Sequence, residues 1–311
     1  MNFFNSNIKQ HSGIENQPGC DFFAAPPMQI GQVQTAQTSL LQGQDSASAG
    51  RRLISIVISS VICLAIAGFL IYIFSISPKD LIFYILTSVF LGLGLLIGAV
   101  MTSFSHTCTY VGENGVAKYF LKKNRYNQPT GELFEFGNAN AMYVETTRNF
   151  TNGAYTGTTY NYRWVDQYGK NLYRLNGSYS NKNGEPKNLA DPYYFAKAAA
   201  NSWNHYKLVR YIDLINQGRT VIFNIKKMTF EMGLNMMNVY ESGNKLTWNI
   251  NDINSIQVEK GWVTIFNSNY QEIGWFSKLF GKGKITFMYS EMPNANLFLL
   301  LFEILYKKPI H

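Results

Sequence analysis

Two apolar runs lie back to back in the first third of the chain. Leu53 to Ile76 and Leu81 to Phe104 contain no Asp, Glu, Lys, Arg or His, and only Ser77-Pro78-Lys79-Asp80 separates them. A helix rises about 1.5 Å per residue, so about 20 apolar residues cross a hydrocarbon core. The pattern predicts two membrane-spanning helices. The linker is too short to cross back, so the spans must be antiparallel, with Pro78 breaking the helix and Lys79 and Asp80 at headgroup level. A pair of buried core helices is the competing reading, and soluble helices of this length normally carry a polar stripe. Gly92-Leu-Gly94-Leu-Leu-Ile-Gly98 departs from a dinucleotide loop and has no strand before it. Gly94 and Gly98 instead make a G-x-x-x-G face for helix packing, with Ser55, Ser59 and Gly68 as small residues on the other span.

Beyond Ser105 the period of the pattern changes. Tyr110-Val111, Val116 to Leu121 and Leu133 to Val144 are apolar-aromatic stretches, and Thr158 to Val165 alternates through Tyr160, Tyr162 and Trp164, the period of a half-buried strand. Asp166 to Gly169 reads as a hairpin turn with Leu172 to Leu175 as the return strand. Pro192 then opens a helix through Phe195, Ala199, Trp203 and Tyr206. A second series follows: Thr220 to Ile225, Met228 to Met232, Met236 to Tyr240, Lys245 to Ile250, Ile253 to Glu259, Trp262 to Phe266 and Lys284 to Tyr289, closed by a helix opened at Pro293.

The two series align at a constant offset of 114 residues: Phe134 with Trp248, Ala139 with Ile253, Met142 with Ile256, Val144 with Val258, and Tyr173 with Phe287. The shared offset points to an internal duplication, against the alternative of two unrelated β-rich stretches. Strands closed by one amphipathic helix describe a pleckstrin-homology-like barrel. The expected fold is therefore α+β: a transmembrane hairpin at 51–105 followed by two tandem β-barrel domains, 107–207 and 208–311. Each is closed by a C-terminal helix, and a short helix Val209 to Gln217, ending at Gly218, joins them. Residues 1–50 are rich in Gln, Asn, Ser, Gly and Ala, and read as a disordered polar leader.

Charge refines the topology. The chain has 311 residues and a formal net charge of +8. Arg51-Arg52 abuts the first span, and Lys118, Lys122, Lys123 and Arg125 follow the second, against Lys79 alone in the turn. By the positive-inside rule both termini are expected to be cytoplasmic, in a multi-pass protein of the inner (plasma) membrane. The start Met1-Asn2-Phe3-Phe4-Asn5 lacks a basic n-region, so the first span is expected to act as an uncleaved signal-anchor. Cys20, Cys63 and Cys108 form no C-x-x-C, and His11, His106, His205 and His311 are scattered. Neither a metal, a cofactor nor nucleic acid is expected.

Asp213 to Phe223, Leu246 to Ile253, Gly261 to Ile265 and Pro293 to Leu301, with Tyr110 to Ala117 and Tyr162-Arg163-Trp164 in the same order in the first copy, resemble a bacterial family of uncharacterised membrane-anchored proteins with pleckstrin-homology-like domains. The resemblance covers roughly residues 80–311. It implies the fold and a membrane location, and no catalytic residue.

Candidate binding residues fall into two groups. Lys118, Lys122, Lys123 and Arg125, with Lys278, Lys282 and Lys284 of a basic Gly turn, are candidates for contact with anionic lipid; a solvated edge that sets topology is the plainer reading of the first cluster, and a hairpin turn of the second. Tyr155, Tyr160, Tyr162, Tyr168 and Tyr173 form a candidate protein-binding patch if half of them point outward. No Ser-His-Asp order or phosphate loop is present. The sequence thus predicts a non-enzymatic anchored scaffold that meets membrane lipids through its hairpin and binds a protein partner or a second copy. An anionic-lipid sensor is the alternative, and an enzyme a remote one.

Overall fold

Alternating apolar positions form antiparallel ladders, and the strands group four plus three in each of two units. The structure is a computed structural model describing residues 8–41, 49–101, 105–122, 129–226, 228–241, 243–271 and 283–306. In the first unit β1 (Val33–Thr38), β2 (Ser105–Gly112), β3 (Gly115–Lys122) and β4 (Thr130–Glu135) make one sheet in that order. The second sheet contains β5 (Ala141–Thr151), β6 (Ala154–Val165) and β7 (Asn171–Tyr179). The second unit repeats the grouping. β8 (Val221–Ile225), β9 (Met228–Met232), β10 (Met236–Glu241) and β11 (Asn244–Asn249) form a four-stranded sheet, and β12 (Ile253–Glu259), β13 (Trp262–Asn267) and β14 (Lys284–Met288) a three-stranded one.

The offset of 114 carries into the elements. β4 and the 3-10 turn Phe136–Asn138 fall on β11 and the 3-10 turn Ile250–Asp252 residue for residue. Those turns also correct an expectation. The stretch Leu133 to Val144 is two strands, because the chain leaves one sheet through the turn before entering the next. Among the described residues no ladder joins the four-stranded to the three-stranded sheet in either unit, so the expected barrels are not closed.

The helix α3 (Pro192–Asn216) starts on Asp191, whose side chain accepts from the Tyr193 N–H, with Pro192 at the first helical position. Its interior lacks Gly and Pro, so it runs unbroken through the boundary expected at 207/208 instead of splitting into two helices. Gly218, at φ 76°, ends it, with its N–H on Ile215 O and that of Arg219 on Leu214 O. The last helix, α4 (Ala295–Tyr306), begins two residues later than Pro293 suggests, after Asn294 at φ 57°.

Each unit has its own core. Phe134, Phe136, Met142, Trp164, Phe195 and Trp203 centre the first; Phe223, Phe230, Trp248, Phe287, Phe298 and Phe302 centre the second. A third cluster corrects the expectation of a disordered leader for residues 8–41, the part of it that the structure describes. Phe22, Ile30 and Ala36 are buried against Cys108, Tyr110 and Ala117, on β2 and β3. The leader is too polar to build a core from its own residues, but it borrows apolar surface from the sheet it joins. The second unit shows why its counterpart sheet needs no such cover. There Glu231 accepts from Thr220, Asn238 and Tyr240, and Thr247 donates to Asn238. These bonds hold the Glu231 carboxyl below its ordinary range.

α1 (Ala49–Ile73) and α2 (Leu81–Met101) pack along each other, and α1 starts four residues before its apolar run and ends three residues before the run does. Leu53–Ile73 and Leu81–Val100 are long and apolar enough to cross a membrane. Most of their side chains are exposed, unlike those of a buried core helix. The Asp80 carboxylate closes the turn between them by accepting from the Ser77 N–H.

Candidate functional site

The placement of the hairpin defines the surroundings of every candidate. β1 and β2 are hydrogen-bonded neighbours: Thr38 pairs with Cys108, and the Ser39 N–H donates to Thr107 O. α1 and α2 occupy the connection between these two strands. In the second unit the equivalent connection, between Ile225 and Met228, is a two-residue turn that includes Lys226. The apolar hairpin is thus an insertion into the first β-turn of the first unit, so residues 8–41 belong to that unit and α1–α2 do not precede it.

The sequence-derived lysines divide. Lys122 ends β3 opposite Ser105, the first residue of β2. Lys118, four residues back, is half-buried with its ammonium 4.8 Å from the centre of the Phe120 ring. Lys284 opens β14, opposite Phe266 on β13. Lys123, Arg125, Lys278 and Lys282 lie outside the described residues.

The tyrosine patch is corrected. Tyr160 and Tyr162 are 4% and 6% exposed and belong to the first core, and Tyr173 stacks on Phe134 at 4.8 Å. Burial pushes the hydroxyls of Tyr160 and Tyr162 up to about 12, and that of Tyr173 upward too. The pleat of β6 turns its even-numbered residues inward, toward α3 and β4, because that is where the core lies. Tyr155 is half-buried and hydrogen-bonds Thr158, and only Tyr168, on the β6–β7 turn, is fully exposed.

What faces outward is the opposite, polar side of that sheet: Thr159, Asn161 and Arg163 of β6, between Glu145 and Thr147 of β5 and Arg174, Asn176 and Ser178 of β7. A trough of about 490 Å³ runs over Asn161, Arg174 and Asn176. A second cleft, of about 580 Å³, lies between Tyr143 and Arg163 of the first unit and Asn224, Lys226, Ser290 and Glu291 of the second. The strict alternation from Thr159 to Trp164 was the signal that could have found this face. Its aromatic positions mark the core side, and the polar residues between them mark the outer one.

Gly94 and Gly98 sit where α1 passes closest. A Cβ at Gly94 would lie 2.6 Å from Ser60 Cα, and one at Gly98 2.5 Å from Ile56 Cα. Ser59 donates to Gly94 O at 2.7 Å.

Two chemistry-bearing side chains serve packing. His11 is buried, with Nδ1 2.8 Å from Thr35 Oγ1 and Nε2 2.9 Å from Thr109 Oγ1, and its ring lies against Phe195. Cys108 donates to the Tyr110 hydroxyl, which donates to Ala24 O; burial pushes the thiol up to about 12. Among the described residues no group of three or more His, Cys, Asp or Glu is placed to hold a metal ion. The comparisons with known proteins give no match: no family model matches the chain, and neither does any curated protein.

Proposed function

We propose that the chain is a non-enzymatic interaction protein of the inner membrane. Its hairpin spans the bilayer with both termini cytoplasmic, and its two β-units form a pleckstrin-homology-like platform that binds a protein partner or a second copy. The observation that carries this reading is the insertion of α1–α2 between β1 and β2. An anchor grafted into a sheet at two points holds the unit in a set orientation, as a presenting scaffold requires. The four-plus-three strand grouping before each of α3 and α4 supports the pleckstrin-homology-like assignment. With the tyrosines turned inward, the polar face of β5–β7 is the surface offered to a partner. The reading is tested in native membranes with a photo-crosslinking residue at Asn161 and a fluorescent fusion at the C-terminus. Discrete protein adducts and a cytoplasmic fusion are expected; a periplasmic fusion, or no adduct, overturns it.

One observation favours the second reading, contact with an anionic leaflet. Lys122 lies opposite Ser105, four residues beyond the end of α2, so that end of the first sheet would face the headgroups. Lys122→Gln would then weaken the attachment of residues 105–122 to anionic bilayers and leave attachment to neutral ones unchanged.

A further inference from the structure

The outer face of β5–β7 contains an arrangement of charge that the fold does not neutralise. Arg163 stands directly across from Arg174 on the next strand, a like-charge pair of the kind that disfavours a sheet. Among the described residues no carboxylate comes within 4 Å of either guanidinium. Arg174 Nε donates to Asn161 Oδ1 at 2.7 Å. Arg163 has no such outlet. Its guanidinium lies 4.9 Å over the Tyr143 ring, and its Nε, shielded from solvent, has no acceptor. A guanidinium whose charge is not neutralised within its own sheet is left to bind an anion.

Arg163 lines the cleft between the two units, and the opposite wall supplies matching donors. Lys226 is held there by Glu291, 2.7 Å away. Asn224 uses its Oδ1 to accept from Thr229, which leaves its amide nitrogen as a donor, and Ser290 adds a hydroxyl. Among the described residues lining the cleft and the adjoining trough, the carboxylates are Glu291, already tied to Lys226, and Glu145. The cleft's volume is in the range of small-ligand sites.

We infer that the cleft between the two units binds a phosphate group, held by the Arg163 fork and by Lys226, with Asn224 and Ser290 as neutral donors. Four donor groups from two walls suit the three oxygens of a phosphate better than the two of a carboxylate, and a guanidinium fork binds it bidentately. The group could come from a soluble phosphate compound or a lipid headgroup. The inference does not rest on the membrane topology or on the scaffold reading, so either can fail alone.

The test uses the full chain in neutral detergent, titrated with inorganic phosphate against chloride at constant ionic strength. A saturable rise in unfolding temperature of about 3–6 °C at ten times the dissociation constant is expected. Arg163→Gln should weaken binding about 10–100-fold, and Arg163→Lys, which keeps the charge without the fork, should weaken it less. Lys284→Gln should leave it unchanged. No phosphate-specific shift, or an undiminished shift in both Arg163 variants, overturns the proposal. Protection of Arg163 from phenylglyoxal then identifies the source. Protection in nanodiscs containing phosphatidic acid, without added phosphate, assigns a headgroup. Protection only by free phosphate assigns a soluble ligand, and protection by neither overturns the site.

Discussion

The indole N–H of Trp203, on α3, donates to Oδ1 of Asn294 at 2.9 Å, across the boundary between the two units. The same oxygen accepts from the Met142 N–H at 2.9 Å, and the Asn294 N–H donates to Met142 O at 2.7 Å. One buried amide just before α4 thus ties together α3, β5 and the last helix. Asn also tolerates the left-handed backbone it adopts there better than most residues.

Replacing this side chain should loosen the joint. Asn294→Ala leaves the Trp203 and Met142 donors buried without an acceptor and adds backbone strain at φ 57°. A loss of about 3 kcal/mol is expected, lowering the unfolding temperature by on the order of 10 °C. Asn294→Gly relieves the strain and restores no acceptor. If glycine is nearly as damaging as alanine, the hydrogen bonds carry the joint; if glycine matches wild type, they do not. Differential scanning fluorimetry in detergent is sufficient to decide.

The insertion of the hairpin has a direct consequence for truncation. A chain starting at residue 105 lacks β1 and uncovers Cys108, Tyr110 and Ala117, together with an unpaired β2 edge. It should aggregate and bind a hydrophobic dye. By contrast, joining Ser39 to Thr107 through a short Asn-Gly turn should give a folded first unit without its hairpin, since Ser39 already hydrogen-bonds Thr107 and β8–β9 shows the same connection closed by a turn. Size-exclusion profiles of the two chains test this; a monodisperse truncated chain would contradict it.

Most strands after Ser105, the offset of 114 and the Gly218 helix end are legible because each rests on local periodicity or on one residue's backbone preference. Phe136–Asn138 is not, because a single 3-10 turn between two apolar strands leaves the apolar pattern unbroken. The order of the leader is hidden for a different reason: composition reports what a segment can bury by itself, and Phe22 and Ile30 bury against residues some 80 positions away. The apolar hairpin hides that relationship by separating β1 from β2 in sequence. Arg163 and Lys226 belong to the same class. Each lies in a different copy, and nothing in either copy's sequence places them on one cleft.

Close packing within the hairpin separates its glycines by role. A Cβ at Gly94 or Gly98 meets the backbone of α1 at 2.6 or 2.5 Å, whereas one at Gly68 meets nothing within 4 Å. Gly94→Val should force the helices apart, costing roughly 1–3 kcal/mol, and Gly68→Ala should be neutral or slightly stabilising. Unfolding temperatures in detergent read the cost. Equal values for Gly94→Val and Gly68→Ala would show that the contact tolerates a side chain.

His11 should make stability fall in mild acid. Burial between Thr35, Thr109 and Phe195, with no carboxylate among these contacts, lowers its pKa from 6.5 to about 3. In that window the unfolded chain binds a proton that the folded chain refuses. The contribution is therefore fully present above 6.5 and is lost progressively as the pH falls toward 3. Between pH 6.5 and 5 the loss is about 2 kcal/mol. His11→Gln retains a donor and an acceptor for the two threonines and cannot take up the proton, so its stability should fall less steeply over the same interval. Urea midpoints of the two proteins at pH 7.5, 6 and 5 give the comparison. Parallel pH profiles would mean that His11 protonates without leaving its site, and that residues 8–41 do not depend on a neutral imidazole for their place on the sheet.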